Sequence, residues 1–112
     1  MSERADLARL QMIMEFISDI EAIVSRHGDS GQALSDVEGK HALMMCLQQI
    51  GEALGKIERQ DWQEKLSSKQ ASAMRNIIAH NYLGVDLKIA KAAIDNVIPE
   101  LKLAIDSLLG NT

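Results

Sequence analysis

The chain has 112 residues, of which 46% are hydrophobic and 25% charged, with a formal net charge of −4. This length suits a single domain over residues 1–112, the composition excludes a disordered chain, and the acidic balance argues against a general nucleic-acid coat protein. The single Cys46 excludes an intrachain disulfide. Because we find neither a signal-peptide pattern nor an apolar run that could span a membrane, we expect a cytoplasmic protein without membrane contact.

The residue types favour helices over strands. Ala, Leu, Ile and Met are common, whereas the chain has one Thr, four Val and three aromatic residues. Strands usually need more β-branched and aromatic residues than that. One proline and seven glycines leave few helix breakers. We therefore predict an all-α fold, an up-and-down bundle of four main helices plus a short C-terminal helix.

The first predicted helix covers residues 3–26. Its apolar residues recur at three- and four-residue steps, as on the buried face of an amphipathic helix. His27 and Gly28 indicate its end, and residues 28–34 are predicted to be a flexible connection. The predicted inward stripe consists of Leu7, Leu10, Met14, Ile17, Ile20 and Val24.

The second predicted helix begins with a capping box of Ser35 and Glu38 and continues to Ile57. Its stripe is close to a heptad seam, so we expect an antiparallel pair with the first helix and apolar surface left for a second copy. Gly51 and Gly55 lie on one face and permit close approach by a neighbouring helix, although simple tolerance of glycine stays open. The stripe consists of Leu43, Leu47, Ile50, Leu54 and Ile57.

A polar connector, held by Trp62, follows over residues 59–66 and is expected to contain a short helical turn. A third helix is predicted to start with a second capping box at residues 67–70 and to end near His80 or Tyr82. Its inward residues are expected to be Ala71, Met74, Ile77 and Ile78.

Two helices are predicted for the C-terminal part, over residues 86–96 and 98–109. Asp86 is a suitable N-cap for the first of them. Pro99 is unfavourable in a helix interior but suits a first helical turn, and this is the reason for the split. The inward residues are Leu87, Ile89, Ala90, Ala93, Ile94 and Val97, followed by Leu101, Ile105 and Leu108.

Residues 74–82, Met-Arg-Asn-Ile-Ile-Ala-His-Asn-Tyr, concentrate groups that bind phosphate or move protons. The stretch from Lys65 to Val85 has three basic residues and no acidic one, a local charge of +3 against −7 for the rest of the chain. A positive region in an acidic protein is the local field that an anionic ligand favours. Residues 74–82 are therefore the candidate site, with Lys65 and Lys69 as expected contacts to an RNA backbone.

The side chains in this stretch fit the cleavage of RNA. Arg75 can bind a phosphate in bidentate fashion and stabilise the charge that develops on it. His80 can act as a general acid or base near neutral pH, and Asn76, one turn earlier, can orient the imidazole or bind a phosphate oxygen. Because RNA supplies its own nucleophile, the 2′-hydroxyl, this reaction needs no metal and no cofactor.

Helix geometry limits how these side chains can meet. Arg75 and His80 are five residues apart, which separates them by roughly 140° on an ideal helix. They converge only where the helix ends or where two copies of the segment meet. Since each chain has one histidine in the stretch, a two-fold dimer would supply both the acid and the base. The alternative that Arg75 and His80 only satisfy helix-end carbonyls stays open.

Other residues suggest weaker alternatives. Glu38 and His41 copy the Glu-x-x-His spacing of di-iron bundles, but such sites need further glutamates on other helices, so no metal site is predicted. His27 is expected at a helix C-terminus, where its positive charge is favourable. Cys46 is expected to be a small core residue and not a reactive thiol.

The pattern Arg75-x4-His80-x-Tyr82 resembles the Arg-x4-His-x-Tyr motif of the HEPN superfamily, and specifically of HepT-type toxins. The resemblance extends along most of the chain. It includes Ile-Gly-Glu-Ala at residues 50–53, Asn76 after the motif arginine, Asp-Leu at residues 86–87 and Pro-Glu-Leu at residues 99–101.

This resemblance implies a HEPN-like fold and a metal-independent endoribonuclease whose active site is shared between the two copies of a homodimer. Arg75 and His80 would be catalytic, with Asn76 as a supporting polar residue. The implied partner is a nucleotidyltransferase antitoxin that neutralises the toxin by transferring AMP to Tyr82. The alternative is a non-catalytic helical subunit that a nucleotidyltransferase binds and modifies.

Overall fold

The computed structural model describes residues 2–66 and 87–110, and all regular structure in these ranges is helical. This confirms the predicted all-α fold. The elements are α1 (Ser2–His27), α2 (Ser30–Ser35), α3 (Val37–Gly55), α4 (Gln60–Lys65), α5 (Leu87–Ala92), a π-helical turn (Ala93–Val97) and α6 (Ile98–Gly110). None of the described helices combines the length and apolar character needed to cross a membrane.

The helices α1 and α3 form the antiparallel pair that the sequence predicts. Near the start of α1, Asp6 contacts the backbone of Glu58 and Arg59, just beyond the end of α3. At the other end of α1, His27 contacts Asp36, which caps the start of α3. The core of the protein lies along this pair.

The buried face of α1 differs from the predicted stripe. Leu10, Ile13, Ile17 and Ile20 are at most 2% exposed, whereas Leu7 is 37% exposed. Apolar residues cover a wide arc of the α1 surface. The part of this arc that packs in the core includes Ile13 and not Leu7. The predicted stripe of the second helix is confirmed as buried at all five residues, although α3 ends at Gly55 and Ile57 lies just beyond it.

The predicted flexible connection over residues 28–34 is wrong, because much of it forms the short helix α2. Gly28 ends α1 with a φ of +104°, a conformation that glycine adopts without strain. Asp29 then caps α2 by accepting a 2.7 Å hydrogen bond from the backbone N–H of Gln32. Ala33 and Leu34 are buried in the core, and their burial stabilises a helix that the polar local composition concealed.

The start of α3 is shifted by one residue from the predicted capping box. Asp36 is the N-cap, and its Oδ2 accepts a 2.7 Å hydrogen bond from the backbone N–H of Gly39. Ser35 instead ends α2, where its hydroxyl donates to the carbonyl of Gly31 at 2.9 Å. The carboxylate therefore replaces the hydroxyl as the capping group.

Close backbone approach to α3 occurs at a glycine that the sequence analysis did not select. A Cβ on Gly39 would lie 2.4 Å from the carbonyl oxygen of Ala33 in α2. A Cβ on Gly55 would meet nothing within 4 Å, so the approach predicted at Gly55 is wrong, whereas that at Gly51 stays a prediction. Only a residue without a side chain allows α2 and α3 to pack this closely.

The C-terminal segment is one continuous helical run, so the predicted break before Pro99 is wrong. The N–H of Ile98 donates to the carbonyl of Ala93, the i→i−5 bond of a π-helical turn. Proline lacks an N–H, and in an α-helix its ring would press against the carbonyl four residues earlier, here that of Asp95. Widening the preceding turn relieves this clash while the helix continues.

The inward face of this run is largely as predicted. Leu87 is an exception, since it is 37% exposed at the start of α5. Ile89 and Val97 are half-buried and pack against the core. The residues confirmed as buried are Ala90, Ala93, Ile94, Leu101, Ile105 and Leu108.

The predicted helical turn of the connector is confirmed as α4, where Trp62 is buried. It begins beside the N-terminal part of α1, whereas α5 contacts α2 near the other end of the bundle. The predicted third helix over residues 67–82 and the Asp86 cap lie outside the described residues.

Candidate functional site

Of the residues predicted to form the site, only Lys65 is described. It is the exposed last residue of α4. The others, namely Lys69, Arg75, Asn76, His80 and Tyr82, lie outside the described residues, and their roles stay predictions. The structure therefore shows how the chain is held in place on either side of the candidate site in the sequence.

Before the candidate site, a buried carboxylate fixes the connection between α3 and α4. Asp6 is fully buried, and its Oδ2 accepts a 2.8 Å hydrogen bond from the backbone N–H of Arg59. Its Oδ1 accepts a 3.0 Å bond from the N–H of Glu58 and a 2.9 Å bond from the guanidinium of Arg9. A carboxylate can be buried at this point because its oxygens meet several donors.

The electrostatics of Asp6 favour its charged form. Burial raises the pKa of this carboxyl, but the hydrogen bonds from Glu58, Arg59 and Arg9 outweigh the burial and hold the pKa below its ordinary value. Asp6 is therefore an ionised group inside the bundle.

Sequence reasoning missed Asp6, although the sequence contains a signal for it. The residue lies four positions before Leu10, seven before Ile13 and eleven before Ile17. These intervals place it on the buried stripe of α1. An acidic residue on such a stripe is rarely fully buried without partners, so its position predicts a specific contact.

A second contact holds the start of α4. The guanidinium of Arg59 lies 4.4 Å from the ring centroid of the buried Trp62, within the range of a cation–π interaction. Its Nε donates a 2.8 Å hydrogen bond to Asp61, and this bond lowers the pKa of the Asp61 carboxyl. Arg59 is thus held against α4.

After the candidate site, the chain is held at the other end of the bundle. The buried Ser30 of α2 donates a 2.7 Å hydrogen bond to Asp95 in the π-helical turn. Lys91 donates a 2.6 Å bond to the same carboxylate. The bond from Lys91 and then that from Ser30 lower the pKa of Asp95. The segment that contains the candidate site is therefore joined at both ends to well-packed parts of the bundle.

The residues considered as alternative sites are exposed, buried in the core or placed at a helix end. Glu38 and His41 are both exposed on α3, and the described residues contain no cluster of three or more metal-ligating side chains. Cys46 is 2% exposed, and burial, with a smaller effect of Asp19, raises the pKa of its thiol, so it is a core residue as predicted. His27 lies in the last turn of α1, as predicted, with Nδ1 2.8 Å from the carbonyl oxygen of Ile23.

Comparison with known proteins places the chain among ribonucleases. The model of the family "Ribonuclease HepT-like" matches residues 13–108. Two proteins of Methanocaldococcus jannaschii, named "Putative RNase MJ1216" and "Putative RNase MJ0125", are each 30% identical to the chain over 112 residues. The alignments cover 97% of this chain in both cases, and 91% and 95% of the two relatives. No solved structure matches the chain significantly.

Proposed function

The chain belongs to the HepT-like ribonuclease family, and on that premise we propose that it is a metal-independent endoribonuclease that acts in the cytoplasm as the toxin of a type II toxin–antitoxin pair. The observation that carries the proposal is the position of the pattern Arg75-x4-His80-x-Tyr82. It lies inside the matched range 13–108 and in the basic stretch of an acidic chain.

The proposed reaction is an attack of the ribose 2′-hydroxyl on the adjacent phosphorus. A base removes the 2′-proton, the new P–O bond forms, and the bond to the 5′-oxygen breaks as an acid protonates the leaving group. The products are a 2′,3′-cyclic phosphate and a 5′-hydroxyl. His80 transfers the protons, Arg75 stabilises the charge on the phosphorane-like transition state, and Asn76 supports them.

The reaction needs an acid and a base at once, and each chain has one histidine in the motif. We therefore propose a homodimer in which the two copies of residues 74–82 face each other across a two-fold axis. Lys65 and Lys69 are proposed to contact the RNA backbone beside this site.

Control of the toxin is proposed to occur by modification of Tyr82. A nucleotidyltransferase antitoxin would transfer AMP from ATP to the phenolic oxygen and release pyrophosphate. The added phosphate places a negative charge and a bulky group beside the phosphate-binding residues and so opposes RNA binding. If a nucleotidyltransferase gene lies next to this one, incubation of the chain with its product and ATP should add the mass of AMP to the wild type and not to Tyr82→Phe.

The ribonuclease proposal is tested by incubating the purified protein with RNA in EDTA. The wild type should cleave the RNA and leave 2′,3′-cyclic phosphate ends. Arg75→Ala and His80→Ala should each lose about 100-fold or more in rate. His41→Ala is the matched control, since His41 is exposed on α3 outside the motif and its loss should leave the rate unchanged.

Two results would contradict this mechanism. Cleavage that survives both motif substitutions would assign the chemistry to other residues. A wild-type protein without any ribonuclease activity, whose Tyr82 is nevertheless labelled by the nucleotidyltransferase, would instead favour the non-catalytic subunit.

A further inference from the structure

Arg9 is a partly exposed arginine whose direction is set by a buried acid. Its Nη1 donates a 2.9 Å hydrogen bond to Asp6, three residues earlier on α1. The carboxylate of Asp6 is fully buried, whereas the side chain of Arg9 is 26% exposed. Because the negative charge lies inside the bundle and the positive group reaches the surface, a ligand in solution meets the guanidinium first.

Most of the hydrogen-bonding capacity of Arg9 is unused. A guanidinium has five N–H donors in a rigid fork that fits the oxygens of a phosphate. Within the described part of the chain, Asp6 supplies the one oxygen that this guanidinium bonds. Ordering a flexible side chain normally costs entropy on binding, and the contact with Asp6 reduces this cost before a ligand arrives. Arg9 is thus prepared to bind an oxyanion.

The position of Arg9 points to the RNA backbone as its ligand. Asp6, which holds Arg9, also accepts hydrogen bonds from the backbone N–H groups of Glu58 and Arg59 at the entrance to α4. This helix, about 9 Å long, ends at Lys65, where the basic stretch of the chain begins. An RNA strand that Lys65 contacts therefore lies near the end of the bundle that carries Arg9.

The acids around Arg9 exclude net charge as the basis of this contact. Glu58 and Glu64 are exposed at the same end of the bundle, and Arg59 is paired with Asp61. The exposed acids oppose a general positive field. The contact depends instead on the fork of an oriented guanidinium, which can bind a phosphate in bidentate fashion. A lysine would supply the same charge without that geometry.

We propose that Arg9 binds a phosphate of the RNA substrate and that Asp6 is the positioning residue that orients it. This inference rests on the proposed function, because it adds a contact to the same substrate. The contact does not depend on base sequence, since every nucleotide carries the phosphate. Arg9 lies outside the motif of residues 74–82 and takes no part in the chemical step.

Binding is measured separately from cleavage with a labelled single-stranded RNA of about 20 nucleotides in which every ribose is 2′-O-methylated. This RNA keeps its phosphates but has no free 2′-hydroxyl, so the proposed reaction cannot occur on it. Fluorescence anisotropy gives its Kd for the full-length protein. Arg9→Ala should raise the Kd by about tenfold, as expected for the loss of a charge-assisted contact. Arg9→Lys should not restore wild-type binding, since it keeps the charge and loses the fork.

Arg26→Ala is the matched control for charge. Arg26 is exposed in the last turn of the same helix, about 25 Å along α1 from Arg9. Its replacement removes the same charge at a distance beyond the range of screened electrostatics, so the Kd should change by less than about twofold. Circular dichroism should confirm that both alanine variants fold.

A double-substitution cycle tests whether Asp6 acts through Arg9. Asp6→Asn should raise the Kd several-fold in the wild-type background and should have no further effect in the Arg9→Ala background. A role of Asp6 in stability alone would instead weaken binding by the same factor in both backgrounds, and this result would remove Asp6 from the proposal.

Three further results would overturn the contact itself. They are an equal Kd for wild type and Arg9→Ala, an equal loss in Arg9→Ala and Arg26→Ala, and failure of the wild type to bind the methylated RNA at low salt. A wild type that binds this RNA through Arg9 but does not cleave ordinary RNA would support the contact and refute the proposed reaction.

Discussion

The carboxylate of Asp6 accepts a 2.8 Å hydrogen bond from the backbone N–H of Arg59, 53 positions along the chain. This contact joins the first turns of α1 to the connection that enters α4. Because α4 precedes the segment with the candidate site, the carboxylate holds the part of the chain that leads towards that segment. A single buried acid thus links the N-terminal part of the chain to the proposed active region.

Replacement of Asp6 by alanine should destabilise the protein by about 2 to 4 kcal/mol. The substitution removes the acceptor for the N–H groups of Glu58 and Arg59 and leaves Arg9 without this partner. The free energy of unfolding is measured by urea denaturation. Asp19→Ala, at an exposed position of the same helix, should change it by less than about 0.5 kcal/mol. Equal effects of the two substitutions would refute this role of Asp6.

The stabilisation by Asp6 should disappear in acid. Its pKa in the folded protein is lower than its ordinary value, so protons bind the unfolded chain more tightly at this group. The contribution is therefore complete above the ordinary carboxyl pKa of about 4 and is lost as the pH falls through the folded value.

A comparison of wild type with Asp6→Asn isolates this effect from those of the other acids. The difference in their free energies of unfolding should be constant between about pH 7 and pH 5 and should shrink below about pH 4. Urea denaturation at a series of pH values measures it. A difference that stays constant down to the acid limit would show that ionisation of Asp6 does not matter.

The close contact between α2 and α3 predicts opposite effects of alanine at two glycines of α3. Gly39→Ala should destabilise by about 1 to 3 kcal/mol, because its Cβ would overlap the backbone carbonyl of Ala33. Gly55→Ala should be neutral or stabilising by up to about 1 kcal/mol, since its Cβ meets open space and alanine favours the helix. Thermal and urea denaturation of the pair would test this, and a tolerated Gly39→Ala would count against the packing.

A mixing experiment tests whether the proposed active site needs His80 from both copies. Wild type and His80→Ala are unfolded together in equal amounts and refolded, so that their dimers form at random. If both histidines are required, only dimers of two wild-type chains are active and the rate per total protein falls to about a quarter of the wild-type rate. If each chain acts alone, it falls to about a half. Wild type mixed with His41→Ala should keep the full rate.

Several elements were predictable because their signals are local. The three-four spacing of α3 and the stop at Gly28 depend only on helix periodicity and on the backbone freedom of glycine. The helical turn around Trp62 and the burial of Cys46 were also predictable from the local residue types. The chemistry proposed for Arg75 and His80 likewise comes from residue types and their spacing along the chain.

Other features depend on residues far apart in sequence, and local patterns misjudged them. The choice of Ile13 over Leu7 on the buried face of α1 depends on contact with α3. Ala33 and Leu34 turn a polar connection into α2 because the core covers them. A continuous run through Pro99 became possible when the preceding turn widened.

The sequence by itself determined that this protein is helical and which side chains could act on a phosphate, since both depend on residue type and short-range spacing. Only the tertiary structure decided that Asp6 holds the entrance to α4 and that Gly39 is a point of close contact between α2 and α3. Each of these results requires segments distant in sequence to meet, and helix periodicity does not specify which faces of two helices come together.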